Sequence, residues 1–185
     1  MKDIFLIFAK YNKEADGEVL SLLGNLSNEE RESDRGSYYG SLSGLARHIL
    51  GGTHFFLSAF FKEALNDNTA THVAAREILK PLDDFPNFEG TLTEAQWKAA
   101  ADAIVTVDDV YVKLSAVLTN EDYAKQIPVA WYGGNPASVP LSFLAQNLVA
   151  HNIHHRGQIS QILDSLKIEH NFSGLNPACL ADKTS

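Results

Sequence analysis

Cysteine is nearly absent from this chain, with Cys179 the single example among 185 residues. One thiol can neither close an internal disulfide nor build a cysteine-rich zinc site. Any metal would therefore be held by histidine and carboxylate side chains, and the cytoplasm is the expected compartment. A chain of this length buries enough surface to fold without disulfides or metal, so a metal would serve function.

Basic clusters and long apolar runs are missing as well. The chain has 15 Lys and Arg residues against 23 Asp and Glu residues, a formal net charge of -8. Such a surface should repel phosphate backbones, which argues against a nucleic-acid partner. No stretch approaches about 18 uninterrupted apolar residues, and the start carries charges at Lys2 and Asp3. The sequence thus predicts a soluble protein with no membrane span and no signal peptide.

Apolar side chains recur at the three-and-four spacing of amphipathic helices in four segments. The predicted helices cover residues 3–26, 41–65, 93–118 and 140–166. Residues 66–90 are predicted to form a loop that could act as a lid, with a short helix at 74–79. Residues 126–140 predict a small hairpin or an extended loop. No biased linker divides the chain, so we expect one domain, residues 1–185, with an all-α bundle architecture.

Three histidines fall on apolar helix faces. His151 and His155 are four residues apart on the inner line of the last helix, so both imidazoles can reach one ion. His48 is the natural third ligand if the second helix faces the last one. It shares the predicted core-facing stripe of its helix with four residues: Leu45, Gly52, Phe55 and Ala59. Three imidazoles on one ion would leave positions open for water or substrate, as in catalytic sites.

A structural role for these histidines fits the same pattern. Histidine pairs at this spacing are common on helices, and a lone core histidine is often hydrogen-bonded to protein groups instead. His154 points away from the line of the pair. The remaining three histidines have no partner at ligand spacing and are expected to be structural: His54, His72 and His170.

Other residues near the histidines have open roles. Arg156 could bind an anionic substrate or form a salt bridge between helices or subunits. Asp108 could accept a hydrogen bond from a ligand imidazole or face solvent. Gly157 would let another helix approach closely, and Gln158 could hydrogen-bond across the bundle. Four aromatic residues in the connections could orient a substrate, pack in the core or contact a second subunit: Tyr38, Tyr39, Trp131 and Tyr132.

The last helix carries a recognisable motif. Residues 151–159 read His-Asn-Ile-His-His-Arg-Gly-Gln-Ile and resemble the HxxxHRGQI signature of the DinB (damage-inducible, YfiT-like) family. Three other segments agree in order and spacing: Tyr11-Asn12 with Ala15, Asp34-Arg35-Gly36-Ser37 with Ser41, and Arg47-His48-Ile49-Leu50-Gly51. The resemblance covers most of the chain. Asp16 is a departure, because the family frequently has asparagine at that position.

The resemblance implies an up-down-down-up four-helix bundle, often dimeric, with one divalent metal ion on His48, His151 and His155. Zinc or nickel is the expected ion, although three imidazoles also suit iron or copper. The implied activity is a metal-dependent enzyme that activates a thiol, such as bacillithiol, mycothiol or glutathione, or a water for attack on a small electrophile. The alternative is a non-enzymatic, stress-related dimeric bundle that binds a metal or small ligand.

Overall fold

The computed structural model describes residues 1–130 and 136–175. Within these ranges the chain is mainly helical. Its α-helices are α1 (Lys2–Gly24), α2 (Asn28–Glu32), α3 (Leu42–Phe55), α4 (Lys62–Ala64), α5 (Ala70–Leu79), α6 (Glu94–Val117), α7 (Asn120–Ala124) and α8 (Leu141–Ser165). A π-helical turn, Phe56–Phe61, joins α3 to α4, and a 3-10 turn, Lys80–Leu82, follows α5. The prediction of a mainly helical chain is confirmed.

A small antiparallel hairpin precedes the last helix. Strand β1 (Gln126–Ala130) pairs with strand β2 (Pro136–Pro140), so that Gln126 faces Pro140 and Ala130 faces Pro136. This confirms the hairpin predicted between residues 126 and 140. Trp131 and Tyr132, which the sequence places at its tip, lie outside the described residues, as does Cys179.

Four long helices enclose the core. α1 packs against α6 and α3 against α8, while contacts of α3 with α6 and of α1 with α8 join the two pairs. Leu45, Tyr111 and Leu148 are fully buried between them. Across the described part of the chain, no helix combines the length and apolar character needed to cross a bilayer.

Local sequence explains how the chain enters these helices. Ser27 and Thr93 each lie three residues before a Glu or Gln, the sequence pattern of a capping box, and both boxes are formed at the start of a helix. Between α2 and α3 the chain turns through Gly36 and Gly40, whose φ angles are +71° and +74°. Residues with a β-carbon rarely adopt such angles, so glycine is needed there. The turn brings Tyr39 to the start of α3.

The second predicted helix, residues 41–65, is helical but not uniformly α-helical. Phe55 was predicted to face the core, but it is 51% exposed, whereas Phe56, Leu57 and Phe61 are buried. The prediction for Phe55 was wrong because the buried line of α3 runs through Ile49, Thr53 and Phe56, and Phe55 lies beside that line. Ala59, predicted on the same stripe, is exposed too. It lies within the π-helical turn, where α-helical periodicity does not continue.

The segment predicted as a loop, residues 66–90, contains a longer helix than expected. Helix α5 begins at Ala70 because the Thr69 hydroxyl accepts a hydrogen bond from the backbone N–H of His72. The His72 side chain is buried, and its two ring nitrogens each lie 2.7 Å from a carboxylate oxygen, one of Asp67 and one of Asp122. His72 therefore links α5 to α7, which agrees with a structural role.

The other two histidines expected to be structural also have protein partners. Nε2 of His54 lies 3.0 Å from the carbonyl oxygen of Leu82, and the His54 ring stacks on Phe85. Nε2 of His170 lies 3.2 Å from the Ser160 hydroxyl. None of these contacts involves His48, His151 or His155.

Gly44→Ala should destabilise the fold by about 1–3 kcal/mol, the usual cost of overpacking a core. A β-carbon on Gly44 would lie 2.0 Å from the backbone oxygen of Tyr39, so the turn before α3 would have to move. Urea denaturation followed by circular dichroism measures the change.

Gly51→Ala is the matched control, because it lies on the same helix with open space around its α-carbon. This variant should be neutral or stabilising by up to about 1 kcal/mol, since alanine favours helix. Equal stability of the two variants would contradict the proposed close approach of Tyr39.

Candidate metal centre

Three histidines from two helices meet on one side of the core. His48 comes from α3, and His151 and His155 come from α8. One ring nitrogen of each lies within 4.8 Å of the others, so the three could hold a metal ion together. Nε2 of His48 and Nε2 of His151 are 2.9 Å apart. The three imidazoles predicted from spacing are therefore brought together by the fold.

Amide oxygens occupy the opposite side of the two α8 imidazoles. Nδ1 of His151 lies 3.0 Å from Oδ1 of Asn152, and Nδ1 of His155 lies 2.7 Å from Oε1 of Gln158. Histidines that bind metals usually donate their second N–H to such an acceptor, which orients the ring and raises ligand basicity. The donor set thus fits a divalent ion that accepts nitrogen ligands.

Gly52 makes room for the His151 ring. A β-carbon at this position would lie 2.5 Å from Cε1 of His151 and 3.1 Å from its Nδ1. Real β-carbons do not approach a ring so closely, so any other residue would displace the imidazole. The predicted stripe with His48 and Gly52 therefore does face α8, and the glycine is what permits the approach.

Tyr39 covers the His48 imidazole. The two rings stack with centroids 3.8 Å apart and an angle of 18° between their planes, and Tyr39 meets His155 edge-on at 5.4 Å. Burial, with a smaller contribution from Tyr38, raises the pKa of the Tyr39 phenol above its ordinary value. The Tyr39 phenol therefore stays neutral and lines one side of the site. Tyr38, in contrast, is 91% exposed.

Two of the three imidazoles, those of His48 and His155, have lowered pKa values and so favour the neutral state that binds metals. Burial, together with the neighbouring His151 and His155, lowers the pKa of His48 from 6.5 to about 4. Burial also lowers the pKa of His155, although the hydrogen bond with Gln158 opposes the change. Protonating this cluster would place like charges side by side in a partly dry site.

The family comparison is consistent with this geometry. The DinB family model matches residues 1–166, which include α1, α3 and α8 with all three histidines. The chain belongs to the DinB family. A search of curated proteins finds no match. In this DinB chain the metal-binding candidates are those predicted from the sequence.

The structure decides between the roles that the sequence left open for Arg156 and Asp108. Arg156 is 2% exposed and forms an interhelical ion pair, with Nη1 2.9 Å from Oδ1 of Asp16. Asp108 is 3% exposed, so the solvent-facing alternative was wrong. Its carboxylate accepts a hydrogen bond from Nδ2 of Asn12 and does not reach an imidazole directly.

The structure also differs from the predictions for the two residues after Arg156. Gln158 lies beside His155 on the same helix, and among the described residues no hydrogen bond carries it across the bundle. Gly157 was expected to admit another helix, but a β-carbon there would meet nothing within 4 Å, so that prediction was wrong. His154 is exposed and outside the cluster, as expected.

Sequence reasoning missed the polar residues that lie behind the histidines. Asn12 and Asn152 are buried and hydrogen-bonded to each other, although both were treated only as parts of motifs. One signal was available for Asn152, which lies four residues after the buried Leu148 and four before Arg156. A polar residue on that spacing belongs to the inward face of α8.

The metal-free protein should lose stability as the pH falls from about 6.5 towards about 4, because the unfolded chain binds a proton that His48 in the fold resists. Above pH 6.5 both states are neutral at this residue and the effect is absent. Urea unfolding with a chelator present measures the pH dependence.

His48→Gln should flatten this part of the pH profile by about 1–2 kcal/mol once solvent screening is allowed for. His154→Gln, at an exposed position on α8, is the control and should leave the slope unchanged. A wild-type profile that is flat between pH 6.5 and 4 would contradict the assignment.

Proposed function

We propose that this DinB-family chain binds one divalent metal ion with His48, His151 and His155 and acts as a metal-dependent enzyme on a small molecule. The observation that carries the proposal is the convergence of three imidazoles whose ring nitrogens lie within 4.8 Å of one another. Zinc or nickel is the expected ion, and iron or copper would also suit nitrogen ligands. Three neutral ligands leave the charge of the ion uncompensated and leave coordination positions open.

The expected chemistry is attack of a small thiol or a water on an electrophile. A bound divalent ion would supply a lowered pKa for such a thiol or water. Burial favours the neutral form of His48 and His155, and Asn152 and Gln158 hold the α8 rings. Tyr39 limits access on the His48 side.

A polar cleft next to His155 is the proposed place for the substrate. It has a volume of about 460 Å³ and lies between the turn before α3 and the second half of α8. Arg35 supplies a cationic side chain, and Gln158 connects the cleft to His155. Four further residues complete its polar and aromatic lining: Ser37, Tyr38, Gln161 and Ser165. A small polar thiol or an anionic substrate would suit this lining.

A non-enzymatic binding protein is the second candidate. The cluster consists of imidazoles alone, and the carboxylates of Asp16 and Asp108 are separated from His151 by Asn12 and Asn152. A general base beside the three histidines is thus not among the described contacts. In this second candidate function, the site binds an ion or a small ligand and catalyses no reaction.

The family resemblance also underlies our proposals for assembly. We propose that α1, α3, α6 and α8 form the up-down-down-up bundle and that the protein is a homodimer in the cytoplasm. Pairwise packing of these four helices supports the first proposal. An apolar groove of about 390 Å³ between α1 and α8 supports the second, because Ile4 and Ile153 at its edges are 56% and 43% exposed.

Protein purified without a chelator or a His-tag should contain up to one first-row divalent ion per chain, measured by inductively coupled plasma mass spectrometry. The double variant His151→Ala, His155→Ala should lose it, and His154→Ala should keep it. Because the core does not depend on the ion, stripped protein should stay helical by circular dichroism. Full metal retention in the double variant would exclude these ligands.

Gly52→Ala is a more specific test of the metal site, because it leaves all three ligand histidines unchanged. The new β-carbon would displace the His151 ring, so metal affinity should fall by about tenfold or more, as when the support of a ligand imidazole is lost. Gly51→Ala, with open space around it, should bind as the wild type does.

A low-molecular-weight thiol should change the spectrum of the cobalt-substituted protein, because thiolate bonding to cobalt gives charge-transfer absorption that water does not. His48→Ala should abolish the change. The thiol should then be consumed faster by a haloarene or epoxide when metal is present, with a pH dependence that reflects thiol ionisation.

The same assays separate the alternatives. Metal-dependent hydrolysis of activated esters or amides, without any thiol effect on the spectrum, would replace the thiol-transferase proposal by a hydrolase. If thiols, esters and amides are all inert while metal still binds, the binding-protein candidate replaces the enzyme.

A further inference from the structure

A buried hydrogen-bonded cluster connects His151 to an ion pair deep in the core. Six side chains of this cluster are each at most 4% exposed: Asn12, Asp16, Thr53, Asp108, Asn152 and Arg156. They come from α1, α3, α6 and α8. Buried polar side chains nearly always have at least one hydrogen-bond partner, so the donors and acceptors in these contacts can be assigned one after another.

The assignment begins at Arg156, which can only donate. Nη1 of Arg156 lies 2.7 Å from one side-chain atom of Asn12, which must therefore be the amide oxygen, Oδ1. The amide nitrogen of Asn12 then faces the two carboxylates. Its two hydrogens go to Oδ2 of Asp16 at 3.0 Å and to Oδ1 of Asp108 at 2.7 Å. Every donor of this amide is used.

The orientation of Asn12 decides that of Asn152. Oδ1 of Asn12 can only accept, so Asn152 must present its amide nitrogen to it, at 2.9 Å. The second hydrogen of that nitrogen goes to the Thr53 hydroxyl, also at 2.9 Å. The amide oxygen of Asn152 is thereby turned towards His151.

The last step concerns the imidazole itself. Oδ1 of Asn152 accepts at 3.0 Å from Nδ1 of His151, so Nδ1 must carry the hydrogen and Nε2 must carry the lone pair. Nε2 of His48, 2.9 Å away, then carries the hydrogen of the N–H···N contact in the metal-free protein.

We propose that the Arg156–Asp16 ion pair sets the tautomer of His151 through Asn12 and Asn152 and so holds Nε2 of His151 as a free lone pair. Asn12, Asp16, Asn152 and Arg156 are positioning residues in this scheme. The value of that lone pair as a metal ligand rests on the proposed function; the tautomer does not.

The charges in the cluster agree with this arrangement. Two carboxylates face one guanidinium, and only Asp16 lies in direct contact with it, at 2.9 Å. Burial and the nearby Asp16 raise the pKa of Asp108 well above its ordinary value, which disfavours a second buried negative charge beside Asp16. With or without a proton on Asp108, its Oδ1 accepts from Nδ2 of Asn12.

The test is long-range ¹H–¹⁵N correlation NMR of the histidine side chains in metal-free, ¹⁵N-labelled protein at neutral pH, which reports which ring nitrogen bears the hydrogen. Wild-type His151 should show the hydrogen on Nδ1. Asn152→Leu removes the acceptor and Asn12→Ala breaks the relay, so both should give a mixture of tautomers or the Nε2–H form.

Asp108→Asn is the matched control, because the amide oxygen can still accept from Asn12 and the side chain keeps its shape. It should keep the wild-type tautomer. Calorimetric titration with Zn²⁺ supplies a second readout, in which Asn152→Leu should bind about 10–100-fold more weakly than Asp108→Asn.

The wild-type spectrum alone decides even if a variant fails to fold, since a hydrogen on Nε2 of His151 would overturn the proposal. A folded Asn12→Ala that keeps the pure Nδ1–H tautomer would overturn the relay. If the tautomer is as proposed but wild-type protein binds no Zn²⁺ or other first-row ion, the proposed metal function fails and this inference stands.

Discussion

The buried ion pair between Arg156 and Asp16 is the contact on which the interior of this protein depends. A guanidinium that is 2% exposed must be paired, and losing its partner would leave an uncompensated charge at a cost of about 3–5 kcal/mol. Arg156 also lies over the Tyr11 ring, with its guanidinium carbon 5.1 Å from the ring centroid. These contacts join α8 to α1 and place the Asn12 and Asn152 amides against each other.

Close approach of α3 to α8 is the second constraint. His48 can meet His151 only because Gly52 has no side chain where the His151 ring lies. At the start of the same helix, Gly44 lets the backbone of Tyr39 come close enough for its ring to stack on His48. The lack of a side chain at Gly44 and Gly52 thus allows the Tyr39 and His151 rings to contact His48.

The sequence predicted the helices and the three histidines, because both follow from local periodicity. Capping boxes marked two helix starts, and the spacing of His151 and His155 placed both on the inner line of α8. The polar cluster could not be predicted in this way, since the contact of Asn12 with Asn152 joins residues 140 positions apart. For Arg156 the sequence left open a substrate role and a salt bridge, and the fold shows the interhelical salt bridge by bringing Asp16 beside it.

The π-helical turn at Phe56–Phe61 affects how this chain can tolerate changes in length. In a uniform α-helix, one added residue rotates everything beyond it by about 100°. Here His48 and Gly52 face α8 before the wide turn, while Leu57 and Phe61 lie within the turn and enter the core. A change of length within the turn would leave His48 and Gly52, which precede it, on the face towards α8.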